Sequence, residues 1–244
     1  IVRNCKAWNC SSGFIFADSS VKCRIENCRV DDCGTGVRSV GKDSDIIDSQ
    51  FFKRRDRFIV PTYQQGDSGI IYYGASGKCL VRGNLVRGFH NAIFLKTSGD
   101  YTAEHNTILD GEWGFYRSGW GPGNKIIHNI IVGFSQPFLA VKLIQPGCEV
   151  DYNCIWEPRE RKMFHDSIGW LIHAGTGKHN LLAAPRFVAP ARGDYRLLPD
   201  SPCGRLGTHG KPLGAFELTQ EGLKDTNPPQ VRLEFDPPIV PAGA

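Results

Sequence analysis

"EHNTILDGEWGFYRSGWGPGNKIIHNIIV", residues 104–132, states one short theme twice. A polar residue and Asn precede an apolar run at "HNTIL" (Asn106), and again at "HNIIV" (Asn129) 23 residues later. A fixed period of this size is the signature of stacked structural repeats. The theme recurs on both sides as "RNCKA" (Asn4), "ENCRV" (Asn27), "DSQFF" (Ser49 in place of Asn), "GNLVR" (Asn84) and "YNCIW" (Asn153). Successive gaps are 23, 22, 35, 22, 23 and 24, so the long gap is one period plus an insertion of about 13 residues. Some seven to ten residues after each Asn comes a small or turn residue and a second apolar strand. Examples are "GFIFA" (13–17), "GVRSV" (36–40), "AIFLK" (92–96), "GFYRS" (114–118) and "PFLAV" (137–141). Turns rich in Gly, Asp, Ser and Asn separate these strands.

A repeat this short has no room for a helix of ordinary length, which leaves a coil of strands. The expected fold is all-β: a right-handed, single-stranded parallel β-helix in which each coil pairs with the next, about 4.8 Å further along the axis. Equivalent side chains then stack in columns. Asn suits a turn column because its amide both donates and accepts, and because it tolerates left-handed backbone. The cysteines follow the same lattice. Cys5, Cys28 and Cys154 each follow a ladder Asn, and Cys10 and Cys33 each lie six places after one. Interior stacking of these small residues is the first reading, and a disulfide framework is the alternative. Adjacent cysteines are spaced by five (Cys5/Cys10, Cys23/Cys28, Cys28/Cys33), with no CxxC pair, so no zinc site is expected.

Apolar residues are 41% and charged residues 22% of the 244, which suits a chain that buries a core. No run approaches the length of a membrane span. The net charge of +4 suits an acidic polysaccharide or a plain solvated surface, and is too weak for a nucleic-acid binder. The opening "IVRNCKAWNC" already reads like the middle of a strand. The chain is therefore expected to be a fragment or processed form with further coils before it, and an extracellular or periplasmic monomer. Coils are expected over 1–157, the last coils and a cap over 158–217, and a Pro-rich tail over 218–244. The insertion is placed at 54–74, where Arg54, Arg55, Arg57 and Tyr63 offer contacts to an anionic glycan or belong to a packing loop.

"HNLLAAPRFVAPARGDYRLLPDSPCGRLG" (179–207) and "LGAFE" (213–217) resemble the C-terminal closing segment of bacterial right-handed parallel β-helix proteins. The match runs through Pro185, Phe187, Gly193, Asp194, Tyr195, Arg196, Leu197, Ser201, Pro202, Gly214, Ala215 and Phe216, and departs at Ala184 and Ala189. The resemblance implies a segment that covers the open end, where apolar surface and strand edges are exposed.

β-Elimination on a uronate needs a cation to neutralise the carboxylate, a base for the α-proton and an acid for the leaving oxygen. "IFLKTS", "EHNTIL" and "GFYRSG" resemble the active-site stretch of polysaccharide lyase family 6, the alginate lyase/chondroitinase B group. The resemblance implies Lys96 as base and Arg117 as the acid-side or carboxylate-binding residue. That group places two calcium-binding glutamates ahead of the Lys. Here the place reads "FHNAIF", so calcium lacks its expected acidic ligands, and Ser118 replaces the His after the Arg. Lys96 lies 12 after Asn84 and Arg117 lies 11 after Asn106. Strict alternation puts them on opposite faces and makes two solvated charges the competing reading.

His105 is a third catalytic candidate, and His90 and His128 are candidate substrate contacts. His105 and His128 should stack on adjacent coils, either as a base with a partner or as turn histidines bonded to backbone. Trp113, Tyr116 and Trp120 form either a sugar-stacking platform or packing under a loop, and Arg55 is a further substrate contact. Paired carboxylates for a glycoside hydrolase are sought among Asp43, Asp45, Asp48, Asp110 and Glu112, and the Asp-Asp, Gly-His-Gly and Arg-x-Lys signatures of the polygalacturonase group are absent. The leading expectation is a lyase acting on an acidic polysaccharide. A glycoside hydrolase or a non-catalytic glycan-binding or structural β-helix are the alternatives.

Overall fold

In the computed structural model each period closes into one coil of a right-handed parallel β-solenoid. The structure describes residues 1–54, 67–73, 77–96, 100–117, 123–139, 147–158, 169, 171–207 and 210–219. Every coil offers three faces. The first is a seven-stranded sheet of Val2–Arg3, Arg24–Glu26, Asp45–Ile47, Cys79–Arg82, Tyr101–Glu104, Lys125–Ile127 and Glu149–Asp151. The second begins with Lys6–Trp8, Arg29–Asp31, Gln50–Phe52 and Leu85–Arg87, and ends with Cys154–Trp156 and Leu181–Leu182. The third holds Ser12–Phe16, Thr35–Ser39, Ser68–Tyr73 and Asn91–Lys96. Thr107–Arg117 and Ile130–Leu139 run through both the second and third faces as single bent strands. The bends fall at Asp110 (φ 58°) and Gly133 (φ 73°), in left-handed backbone. All pairings between coils are parallel, and inward columns such as Val37–Ile70–Ile93–Phe115–Phe138 bury side chains at 0–1% exposure. Ser68–Tyr73 is thus a regular coil strand rather than part of the insertion, and 55–66 lie outside the described residues.

The register corrects the expected Asn column by one residue. Arg3 pairs with Glu26, and Glu26 with Ile47, so Asn4 and Asn27 stand over Asp48. This is the outer corner column, where Asn4, Asn27, Asp48, His105, His128 and Tyr152 all take left-handed φ of 48–58°. The inner column is Cys5, Cys28, Ser49, Asn84, Asn106, Asn129, Asn153 and Asn180. Each backbone N–H donates to the side chain one coil on. The distances are 3.4 Å from Cys5 to Cys28 Sγ, 3.0 Å to Ser49 Oγ, and 2.9 to 3.0 Å from Ser49 through to Asn180 Oδ1. Cys5 and Cys28 therefore occupy the ladder position itself. Cys154 sits one column along, facing outward, in the cluster with Cys203 and Leu213.

The segments 179–207 and 213–217 were expected over the open end, but residues 185–219 lie elsewhere. They form a strap along the outside of the second face. Phe187, Tyr195 and Phe216 pack on Phe52, Leu85, Leu109 and Val132, while Leu197, Cys203 and Leu213 pack on Ile130 and Cys154. Arg87 Nη1 donates to Tyr195 Oη at 2.7 Å, and Gly214 N to the His128 carbonyl at 2.9 Å. The cause is the outward column of that face. It is polar in the first coils (Lys6, Arg29, Gln50) and mostly apolar beyond them (Leu85, Thr107, Ile130, Cys154), so the later coils need a cover. The last coil is met instead by 171–177: Leu171 joins the interior cluster, and Thr176 Oγ1 accepts the Val150 N–H at 2.9 Å.

At the corner after Phe52, the Lys53 side chain is only 2% exposed and its Nζ lies 2.7 Å from Asp67 Oδ1. A buried ammonium that loses its partner is left uncompensated. Asp67→Ala is expected to lower the unfolding free energy by about 3 kcal/mol, whereas Lys53→Met, which removes the charge and keeps the volume, stays within about 1 kcal/mol. Urea unfolding of the two variants checks this. Equal losses in both would show that the pair itself stabilises the corner.

Candidate functional site

The three outer faces differ in what they leave available. On the first, charges pair across coils: Arg3–Glu26 at 2.8 Å, Arg24–Asp45 at 2.9 Å and Lys125–Glu149 at 2.9 Å. The second face is largely under the strap. The third face presents aromatic and cationic side chains together.

Its outward column runs Ile15, Arg38, Ile71, Phe94 and Tyr116. Ile71 and Phe94 are themselves covered, and the accessible parts lie around them. Toward one end, the Tyr116 ring stacks on Phe94 at 4.5 Å and Trp113 stacks on Tyr116 at 5.2 Å. His90, exposed, meets Trp113 edge-on at 4.9 Å. Alongside, Lys96 Nζ lies 4.7 Å from the centre of the Tyr73 ring, and the Arg38 guanidinium lies 5.7 Å from it. Neither Lys96 nor Arg38 forms an ion pair among the described residues. Below Arg38, a shallow depression of about 520 Å³ is lined by Ile15, Ala17, Asp18, Ser19, Arg38 and Val40. Glu112 adds a carboxylate beside Trp113 and accepts the Ser135 hydroxyl at 2.9 Å.

The fold thus brings His90, Trp113 and Tyr116 of the sequence-based set into contact, places Lys96 on the same face at the far end of strand Asn91–Lys96, and separates the rest. Leu95, not Lys96, pairs with Arg117, so the two basic residues stand in neighbouring columns of opposite parity. The Arg117 side chain, Trp120 and Arg55 lie outside the described residues. His105 and His128 are on the corner between the first two faces. They stack at 5.1 Å, and His105 Nδ1 lies 3.2 Å from the Pro212 carbonyl of the strap. His128 is 8% exposed and stacks next on Tyr152 at 5.6 Å. Both serve the joint between coils and strap and do not join Lys96. The carboxylates also disperse: Asp110 is held by Arg87 at 2.9 Å, Asp45 by Arg24, and Asp43 accepts the Lys78 N–H. Among the described residues no group of three or more His, Cys, Asp or Glu is placed to hold a metal ion.

Arg38 and Tyr73 went unrecognised in the sequence. They sit in "GVRSV" and "IIYYG" at third-strand positions, and aligning the second theme rather than the Asn theme brings them beside Lys96.

Burial lowers the affinity of His105 and His128 for protons, and in His128 the His105 ring adds to the effect. A histidine held below its unfolded value of about 6.5 leaves the native state with fewer bound protons than the unfolded one. Its contribution is complete above that value and is lost as pH falls below it. Thermal stability is therefore expected to drop between pH 7.5 and 5.5, and the drop to shrink in a His105→Asn/His128→Asn double variant. Melts at the two pH values decide it, and an unchanged drop in the variant would place the acid sensitivity elsewhere.

A family model described as "Right handed beta helix region" matches residues 1–155. No curated protein and no solved structure matches the chain.

Proposed function

The chain belongs to the right-handed beta helix family, and on that premise we propose that it is a carbohydrate-active β-helix protein whose third face binds an acidic polysaccharide and cleaves it by β-elimination. The observation that carries the reading is the grouping of Arg38, Tyr73 and Lys96 across three coils beside the Tyr116–Trp113 stack. Two cations without carboxylate partners among the described residues suit uronate carboxylates, and aromatic faces suit sugar rings. A cation at the carboxylate is what elimination needs, since it stabilises the charge that develops when the α-proton leaves. Lys96, in its neutral form, is assigned to the α-proton and Arg38 to the carboxylate, and as the bond to the glycosidic oxygen breaks that oxygen takes a proton from water.

The test is incubation with a panel of polyuronates and with neutral glucans. Unsaturated uronate products, read by ultraviolet absorbance, support elimination. New reducing ends without that absorbance mean hydrolysis and overturn it. Binding to polyuronates with neither product leaves a non-catalytic glycan-binding module. That second reading is favoured by the pairing of Leu95 with Arg117, which takes Arg117 out of the Lys96 column. Equal affinity for neutral and acidic polymers would sink the acidic-glycan reading altogether.

A further inference from the structure

Two cysteines, Cys10 and Cys33, carry unbridged thiols that meet across the first coils. Cys10 and Cys33 occupy the same register position: Gly34 N donates to the Cys10 carbonyl at 2.9 Å, and the next residues pair in parallel as Ser12 with Thr35. Their Sγ atoms are 2.9 Å apart. Neighbouring coils hold in-register Cα atoms about 4.8 Å apart, inside the span a disulfide bridges without backbone movement. Cys10 is half-exposed, so a reagent reaches it, while Cys33 is fully buried behind it. The neighbouring pair is arranged differently. The Cys28 Sγ accepts the Cys5 backbone N–H as part of the inner ladder.

We propose that Cys10 and Cys33 are an oxidation site, joined as a cross-coil disulfide by a disulfide-bearing oxidant. The Cys10 thiolate attacks one sulfur of glutathione disulfide, and the first glutathione leaves as its thiolate. Cys33 gives its proton to solvent and attacks Cys10 Sγ, and the second glutathione leaves. The two cysteines lose two electrons and two protons, and the oxidant gains both as two thiols. Cys10 reacts first because it is the accessible one. Burial and the adjacent Cys10 sulfur hold the Cys33 thiol well above its usual range, so the closing step is the slow one and accelerates as pH rises. The product adds a covalent link between coils that otherwise meet through backbone bonds, packing and contacts such as Arg3–Glu26, and joins residues 23 apart in the chain.

The full chain is incubated with excess glutathione disulfide at pH 7 and at pH 8.5, quenched in acid, alkylated after denaturation and mapped by mass spectrometry. The expected result is a Cys10–Cys33 linked peptide, formed several-fold faster at the higher pH. In the linked form the amides around Val30–Val37 should exchange at least tenfold more slowly than in the reduced form. Cys33→Ser should accumulate glutathione on Cys10, and Cys10→Ser should leave Cys33 unmodified in the folded protein. Alkylation of both thiols after exposure to the oxidant, or linkage of Cys10 to Cys5 or Cys28, overturns the proposal. The wild-type map decides the matter even if either variant folds poorly.

Discussion

Asn129→Ala is expected to lower the unfolding free energy by about 4 kcal/mol, a large effect for a single polar change. Asn129 is fully buried in the inner column. Its Oδ1 accepts both the backbone N–H and the side-chain amide of Asn106, each at 2.9 Å. Its Nδ2 donates to the carbonyls of Ala103 and Ile127 and to Asn153 Oδ1, at 2.9 to 3.0 Å. Alanine removes every one of these and leaves the Asn106 backbone N–H, at 0% exposure, without its acceptor, while the Asn106 amide keeps only the Val81 carbonyl at 2.9 Å. Each buried polar group left unpaired costs about 1–3 kcal/mol, and the losses share one ladder, so they do not add fully. Asn27→Gly is the control. Asn27 looks like the same repeat residue, but it stands in the outer left-handed column, where its side chain bonds only Asn4, at 2.7 Å. Glycine adopts that backbone freely, so the change should stay within about 1 kcal/mol. Urea unfolding of both variants reads the difference. Comparable losses would mean that the two residues do share one column and that the register between the first coils is wrong.

That contrast also marks how far the sequence could be read. The solenoid was legible because Asn84, Asn106, Asn129 and Asn153 are polar residues recurring inside apolar surroundings at the pitch of one coil. The slip at Asn4 and Asn27 was not legible, because Asn satisfies both adjacent demands, the left-handed corner and the ladder. Cys28 and Ser49 fill the ladder with shorter side chains that still accept a hydrogen bond. The strap was visible as a motif through Phe187, Tyr195 and Phe216, but not its berth. Where it docks depends on which coils present Phe52, Leu85 and Leu109 outward, and a one-residue change of register turns those side chains inward. The same parity separates Lys96 from Arg117. A spacing of 21 residues looks like one coil, but strand Thr107–Arg117 and strand Asn91–Lys96 pair at Leu95–Arg117, a spacing of 22. Arg38 and Tyr73 are 35 residues apart in the chain, and only the coil that carries the insertion makes them neighbours.

On a polyuronate that the protein cleaves, Lys96→Ala is expected to reduce turnover by about 100-fold or more, the usual range for losing a positioned acid or base. Arg38→Ala should act differently. It removes the cation assigned to the carboxylate, so turnover should fall too, and in addition affinity should fall about tenfold and the salt dependence of binding should flatten. Trp113→Ala and Tyr116→Ala remove stacking surface and should weaken acidic and neutral oligosaccharides alike, by about tenfold each. The separation follows from the arrangement. Lys96 and Arg38 approach Tyr73 from coils on either side of it, whereas Trp113 and Tyr116 lie one coil further along and carry no charge. The slope of affinity against salt therefore separates Arg38 from the uncharged Trp113 and Tyr116, while turnover reads Lys96 and Arg38 together. Full turnover in Lys96→Ala removes Lys96 from the chemistry. Unchanged binding and salt slope in Arg38→Ala remove Arg38 from anion recognition.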